Sequence, residues 1–236
     1  TDKYGNVKIL GEYPAGQMTA FTYISSDGTL LCVPTTDERA LDGELQLEGK
    51  PEYDIDQRVR DEKLSSYLRI YDTNTGSEVM CERIPDAWVT HVQFSPADSD
   101  LILYNNEWPS DCGIRRMWIW DRKTHRALRN EGEGRKKEDW TCHEMWERDG
   151  SAIIYHGAYK DGPAYVGRVN PDGSNRIEIA FPDGWTRYGH FTEGKPGVLI
   201  TDGYFDDRDR TLISENKAKD PSIHTDLKKS EISGEW

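Results

Sequence analysis

Met117-Trp118-Ile119-Trp120-Asp121 is followed by Arg122-Lys123-Thr124-His125, which makes an apolar run, an aromatic, an acid and a polar turn. The same phrase stands 49 residues earlier as Tyr67-Leu68-Arg69-Ile70-Tyr71-Asp72, followed by Thr-Asn-Thr-Gly. It stands again 49 residues later as Tyr165-Val166-Gly167-Arg168-Val169-Asn170, followed by Pro-Asp-Gly. Short aromatic and β-branched runs closed by turn residues read as strands. A period of roughly 40–50 residues is the length of one four-stranded propeller blade.

A second element keeps the same phase. It is a turn followed by an apolar strand, at 25–33, 95–104, 148–155 and 195–201. Asp27-Gly28 and Asp149-Gly150 ahead of apolar residues are strong hairpin signals. Each copy reads as the turn between the first and second strands of a blade. The fold class is therefore all-β, a β-propeller with about four blades visible: 7–85, 86–133, 134–182 and 183–216. The first blade carries an acidic insertion near 37–64, read as a loop on one face, and 217–236 is a charged tail or partial strand. Neither end shows a strand that would close the ring. The chain is expected to be part of a larger propeller or to associate with a second copy.

Composition narrows the partners. Aromatics make up 11% of the residues, which argues against a disordered chain. The net charge of −13 disfavours nucleic acid and anionic membrane surfaces. A polyanionic ligand would need local cations, from Arg, Lys or a metal. Cys32, Cys81, Cys112 and Cys142 form no C-x-x-C pair, so reduced thiols are favoured over disulfides or a metal site. The N-terminal sequence shows no signal peptide, which makes a cytoplasmic location the default, or a periplasmic one if a leader has been removed.

First strands of blades line a propeller's channel. The candidates are 88–94, 140–146 and 185–191, and each carries a histidine: His91, His143 and His190, spaced by 52 and 47. Two readings are open. These imidazoles are either structural hydrogen-bonding groups repeated with the blade, or a convergent cluster that supplies a base and metal ligands near neutral pH. His125 reads as a solvated turn residue, His156 as a residue following a strand, and His224 as part of the tail. Tyr104-Asn105-Asn106-Glu107-Trp108-Pro109 ends a second strand with polar groups, and Arg116 beyond it is suited to fork a carboxylate.

At these segments the sequence resembles the oligogalacturonate lyases. Thr90-His91-Val92-Gln93-Phe94-Ser95-Pro96 matches a family strand. Asn106-Glu107-Trp108-Pro109 and Arg116-Met117-Trp118 match a His-Glu-Gly-Pro stretch and an Arg-x-Trp strand. Cys142-His143-Glu144-Met145-Trp146 matches Thr-His-Glu-Phe-Trp, and Gly189-His190 matches a Ser-His strand. The resemblance implies a seven-bladed propeller and metal-assisted β-elimination on uronate oligosaccharides from pectin. It implies His91 as base, Arg69 as a catalytic arginine, and His143 as a ligand to Mn2+ or another divalent cation. Arg116, Asn106, Glu107 and His190 are implied to contact substrate. Asn106 stands where the family has His, and the family's late His-x-His strand has no counterpart. The competing expectation is a non-catalytic propeller that binds a glycan or a protein.

Overall fold

The structure is a computed structural model. It describes residues 5, 7, 9–41, 58, 59, 61–107, 115–129, 140–159, 164–180, 190–195 and 198–201. Cys112, most of the expected inner strand 185–191, most of the insertion 37–64, His224 and the tail 217–236 lie outside the described residues. The chain divides into two compact units, Thr1–Pro109 with Ile114–Glu131, and Ser110–Gly113 with Gly132–Trp236. No described helix is long and apolar enough to cross a membrane.

The first unit holds two antiparallel sheets. One contains β1 (Gln17–Thr19), β2 (Tyr23–Ile24), β3 (Leu30–Asp37), β4 (Ser65–Asp72) and β5 (Glu78–Pro85), in the order β1-β3-β4-β5 with β2 also on β3. The other is a meander of β6 (Val92–Phe94), β7 (Ile102–Asn105), β8 (Met117–Trp120) and β9 (His125–Ala127). The repeated phrase forms the third strand of each sheet, β4 and β8. Its acid ends the strand by capping the turn. Asp72 Oδ1 accepts from the backbone N–H of Asn74 and Thr75 at 2.9 and 2.8 Å. Asp121 Oδ1 does the same for Lys123 and Thr124 at 3.0 and 2.7 Å. Leu68 and Ile70 of β4 share a core with Val92, Phe94, Ile102 and Trp120, all essentially buried. Each such side chain contributes about 1.5–3 kcal/mol by leaving water.

Two sequence expectations change in this unit. His125 is exposed, as expected, but it is a strand residue rather than a turn one. It opens β9, its ring stacks on Trp120 at 6.0 Å, and its nitrogens meet Tyr104 Oη and Glu82 at 3.0 Å each. The acidic insertion is more than a surface loop. A 3-10 turn at Glu38–Leu41 and a helical stretch near Val59 lie at its two ends, and Ala40, Val59 and Leu64 cluster there with Met18 and Trp88. Cys32 is buried, which pushes its thiol well up from the ordinary range, and no disulfide joins the described cysteines.

The second unit holds the meander β10 (Trp140–Trp146), β11 (Ile153–Ala158), β12 (Ala164–Val169) and β13 (Ile177–Ala180), with β14 (Phe191–Lys195) paired to β15 (Val198–Thr201). The third strand is again the repeated phrase. The turn glycines Gly150 and Gly173 sit at φ of 75° and 83°, where a side chain would be strained. Gly167 is required for a different reason. A Cβ there would lie 2.3 Å from the Tyr155 ring on the neighbouring strand. The Arg148 backbone N–H donates to Glu193 at 2.7 Å and its guanidinium to the Gly194 carbonyl at 2.8 Å, tying the two sheets of this unit together.

Candidate functional site

The first unit builds a polar cluster around His91. Asn105, the last residue of β7, is fully buried, and its Oδ1 accepts from the backbone N–H of Thr90 and His91 at 3.0 and 2.9 Å. That fixes the backbone ahead of β6, where His91 stands. The Asn105 amide donates to Glu107 Oε2 at 2.7 Å and to Thr90 Oγ1 at 2.9 Å. Thr90 Oγ1 donates to Glu107 Oε2 at 2.8 Å and lies 2.8 Å from His91 Nδ1. The Phe21 ring covers one face of His91, with centroids 4.7 Å apart and planes at 18°.

These contacts decide the imidazole's proton. Burial alone would raise the Glu107 carboxyl. The His91 side chain and the Arg116 guanidinium outweigh that and hold it well below the usual carboxylate range. Glu107 Oε2 is 3.6 Å from His91 Nδ1, and the Thr90 hydroxyl stands between the two. An ionised carboxylate only accepts, so it takes the Thr90 hydroxyl proton. Both amide protons of Asn105 have nearer acceptors than His91 Nδ1, which is 3.2 Å away. Nδ1 is thereby assigned as the donor to Thr90 Oγ1, and Nε2 keeps its lone pair. The side chain of His91 remains 38% exposed, so a solute can reach it.

Arg116, expected to fork a substrate carboxylate, is buried and donates through NH1 to Glu107 Oε1 at 2.8 Å. Asn106 is also buried. Its backbone N–H donates to the Arg116 carbonyl at 2.8 Å. Arg69 is buried in β4, where it pairs with Glu78 at 2.7 Å and donates to Thr35 and Gln17. None of those contacts is with His91, Glu107 or Arg116. Sequence reading passed over Thr90, Asn105 and Phe21, although Asn105 stands inside the segment singled out for its polar groups.

The second unit builds a separate cluster on the hairpin β10–β11. Cys142 and His156 are register partners, so their side chains share one face of the sheet. A β-bulge between Cys142 and Met145 follows, and His143 within it adopts φ of 51°. Neighbouring residues of a regular strand point to opposite faces, and a bulge re-aims one of them. Ligand atoms of Cys142, His143 and His156 accordingly all lie within 4.8 Å of one another. His143 Nδ1 and His156 Nε2 are 2.8 Å apart. His190 is exposed just ahead of β14, with its ring 4.7 Å from that of His143. His156 was expected to follow a strand. It lies inside β11 and is 2% exposed. Counting back from the Asp149-Gly150 turn pairs it with His143, and the bulge moves the pairing to Cys142.

No protein-family profile matches the chain. Over 87 residues the sequence is 31% identical to an oligogalacturonide lyase of Pectobacterium atrosepticum, spanning 36% of this chain and 21% of that protein. The structure is similar to that of an oligogalacturonate lyase in complex with manganese (TM-score 0.65, 20% identity), covering 84% of this chain and 50% of the other. It is also similar to an oligogalacturonate lyase from Vibrio parahaemolyticus (TM-score 0.60, 16% identity), covering 86% and 58%. The chain thus spans about half the length of the solved structures it matches. Its fold is an all-β one of the β-propeller class. In fold over most of its length, and in sequence over the shorter segment, it resembles the oligogalacturonate lyases.

Proposed function

We propose that the chain carries lyase chemistry on uronate oligosaccharides, with oligogalacturonide as the substrate class in line with the names of the proteins it resembles, and that it breaks a glycosidic bond by β-elimination. The observation that carries this reading is the Glu107–Thr90–His91 chain of hydrogen bonds. It leaves an accessible imidazole nitrogen bare and places a fixed negative charge behind it. His91 Nε2 takes the C5 proton of the uronate. The C5–H electron pair becomes the C4–C5 double bond, and the C4–O bond breaks with its pair on the leaving oxygen, which solvent protonates. The imidazolium formed is balanced through Thr90 by Glu107, much as a buried carboxylate supports a catalytic histidine elsewhere. Arg116 keeps Glu107 ionised and in place.

The C5 proton is a weak acid, and a bound divalent cation supplies neutralisation of the adjacent carboxylate. In the second unit, Cys142, His143 and His156 are described residues that could hold a divalent cation. Two imidazoles and a thiol suit a divalent ion of borderline softness better than manganese, which favours oxygen donors.

Mixing the protein with digalacturonate and a divalent cation tests the reading, with the product followed by the ultraviolet absorbance of its new double bond. Absorbance should rise with the wild-type chain and stay flat with His91→Ala. A folded protein that gives no rise with any cation would leave a carbohydrate-binding propeller in place of an enzyme.

A further inference from the structure

We infer that the β10–β11 hairpin is a zinc-class cation site in which Cys142 is a ligand alongside His143 and His156. This goes beyond the lyase reading, because the hairpin would take the ion whether or not the chain turns over a substrate.

Three observations converge on it. The ligand atoms are already gathered, with two imidazole nitrogens 2.8 Å apart and the Cys142 sulfur within 4.8 Å of both. Bonds of about 2.0–2.1 Å to nitrogen and about 2.3 Å to sulfur put tetrahedral ligand atoms roughly 3.3–3.6 Å apart. The observed separations bracket that range, so binding needs small side-chain movements and no change of register. The scaffold is also specific. Cys142 and His156 face one another by strand register, and only the bulge, with His143 at φ of 51°, brings the adjacent residue to the same side.

The chemistry of the donors then selects the ion. Thiolate and imidazole favour Zn2+ and its spectroscopic stand-in Co2+, while Mn2+ lies at the weak end of the divalent series and prefers carboxylate, carbonyl and water. A tetrahedral ion held by these three described ligands takes a fourth from water, a bound oxygen or another protein group. The solved relative described above holds manganese. This chain is expected to differ from it in the ion it takes. The site would also give a chain of net charge −13 a local positive centre for an anionic ligand.

Titration of the whole chain with Co2+ tests this directly. A near-ultraviolet thiolate-to-cobalt charge-transfer band should grow with the metal, and Zn2+ should abolish it at concentrations at least about tenfold below those of Mn2+. Cys142→Ser should lose the band while still binding Co2+ more weakly through its imidazoles, and His156→Gln should weaken binding of both metals. Cys81→Ser, altering an exposed thiol of the other unit, should change nothing. Far-ultraviolet circular dichroism distinguishes a lost ligand from a lost fold. Cobalt bound without the band, a band retained in Cys142→Ser, or Mn2+ competing as well as Zn2+ would each overturn the assignment. Turnover is not part of the readout, so a failure here and a failure of the lyase reading are separable.

Discussion

The hydroxyl of Thr90 donates to the Glu107 carboxylate at 2.8 Å, and the same oxygen stands 2.8 Å from His91 Nδ1. A threonine thereby connects a half-buried charge to an imidazole that the carboxylate does not itself reach. Thr90→Val keeps the shape and removes the connection. Elimination activity should fall on the order of 10- to 100-fold, the usual effect of losing a group that orients a reacting one. Thr90→Ser should restore most of it, and KM should change far less than kcat.

Glu107 gives the fold an acid-sensitive element. Its carboxyl is held below the ordinary range when folded and returns to about 4.3 when unfolded, so the stability it contributes is complete above that value. It is lost as pH falls from there toward the depressed native value. Denaturant midpoints measured near neutrality and again in moderate acid should converge for wild type and Glu107→Gln, with the variant weaker near neutrality by about 1–3 kcal/mol because Arg116 loses a charged partner. A difference that grows in acid would contradict this.

Asn105 should matter to stability on the scale of a buried apolar side chain. Its Oδ1 satisfies two backbone N–H groups, and the residue is wholly buried. Asn105→Ala leaves both donors without a protein partner, at about 1–3 kcal/mol each. Urea unfolding should register a loss of at least about 2 kcal/mol, and activity should drop because the His91 backbone is no longer fixed.

Gly167→Ala should destabilise the second unit by roughly 1–3 kcal/mol or more, the range for forcing extra atoms into a packed site. The added carbon would meet the Tyr155 ring at 2.3 Å. Thermal melts should show the loss, and a compensating Tyr155→Leu should recover part of it. Equal melting of Gly167→Ala and wild type would show that the ring can move aside.

The repeat was legible in sequence because its chemistry is local. Tyr71-Asp72 and Trp120-Asp121 end the third strands of their sheets, and the acid caps its own turn within three residues. Phase and neighbours singled out His91 in sequence, and the structure gives it polar partners in Thr90 and Asn105. Thr90 and Asn105 were not legible there, since their value depends on β7 lying alongside the segment ahead of β6 in one register. Arg116 was read as a substrate-binding and Arg69 as a catalytic arginine, and side-chain type alone did not reveal their protein partners Glu107 and Glu78. Cys142 and His156 escaped notice because a hairpin brings them together across 14 residues and a bulge then turns His143 to join them. A sequence pattern in strict alternation would have placed His143 on the other face.

That one irregularity makes the hairpin's chemistry separable from its architecture. Removing Glu144 would restore the pleat's even count, and β10 would pair without interruption. His143 would then swing to the opposite side, away from Cys142 and His156. On the proposed cation site, such a chain would lack one of the hairpin's three ligands. The loss of a single codon could therefore remove the proposed site while leaving the hairpin that carries it.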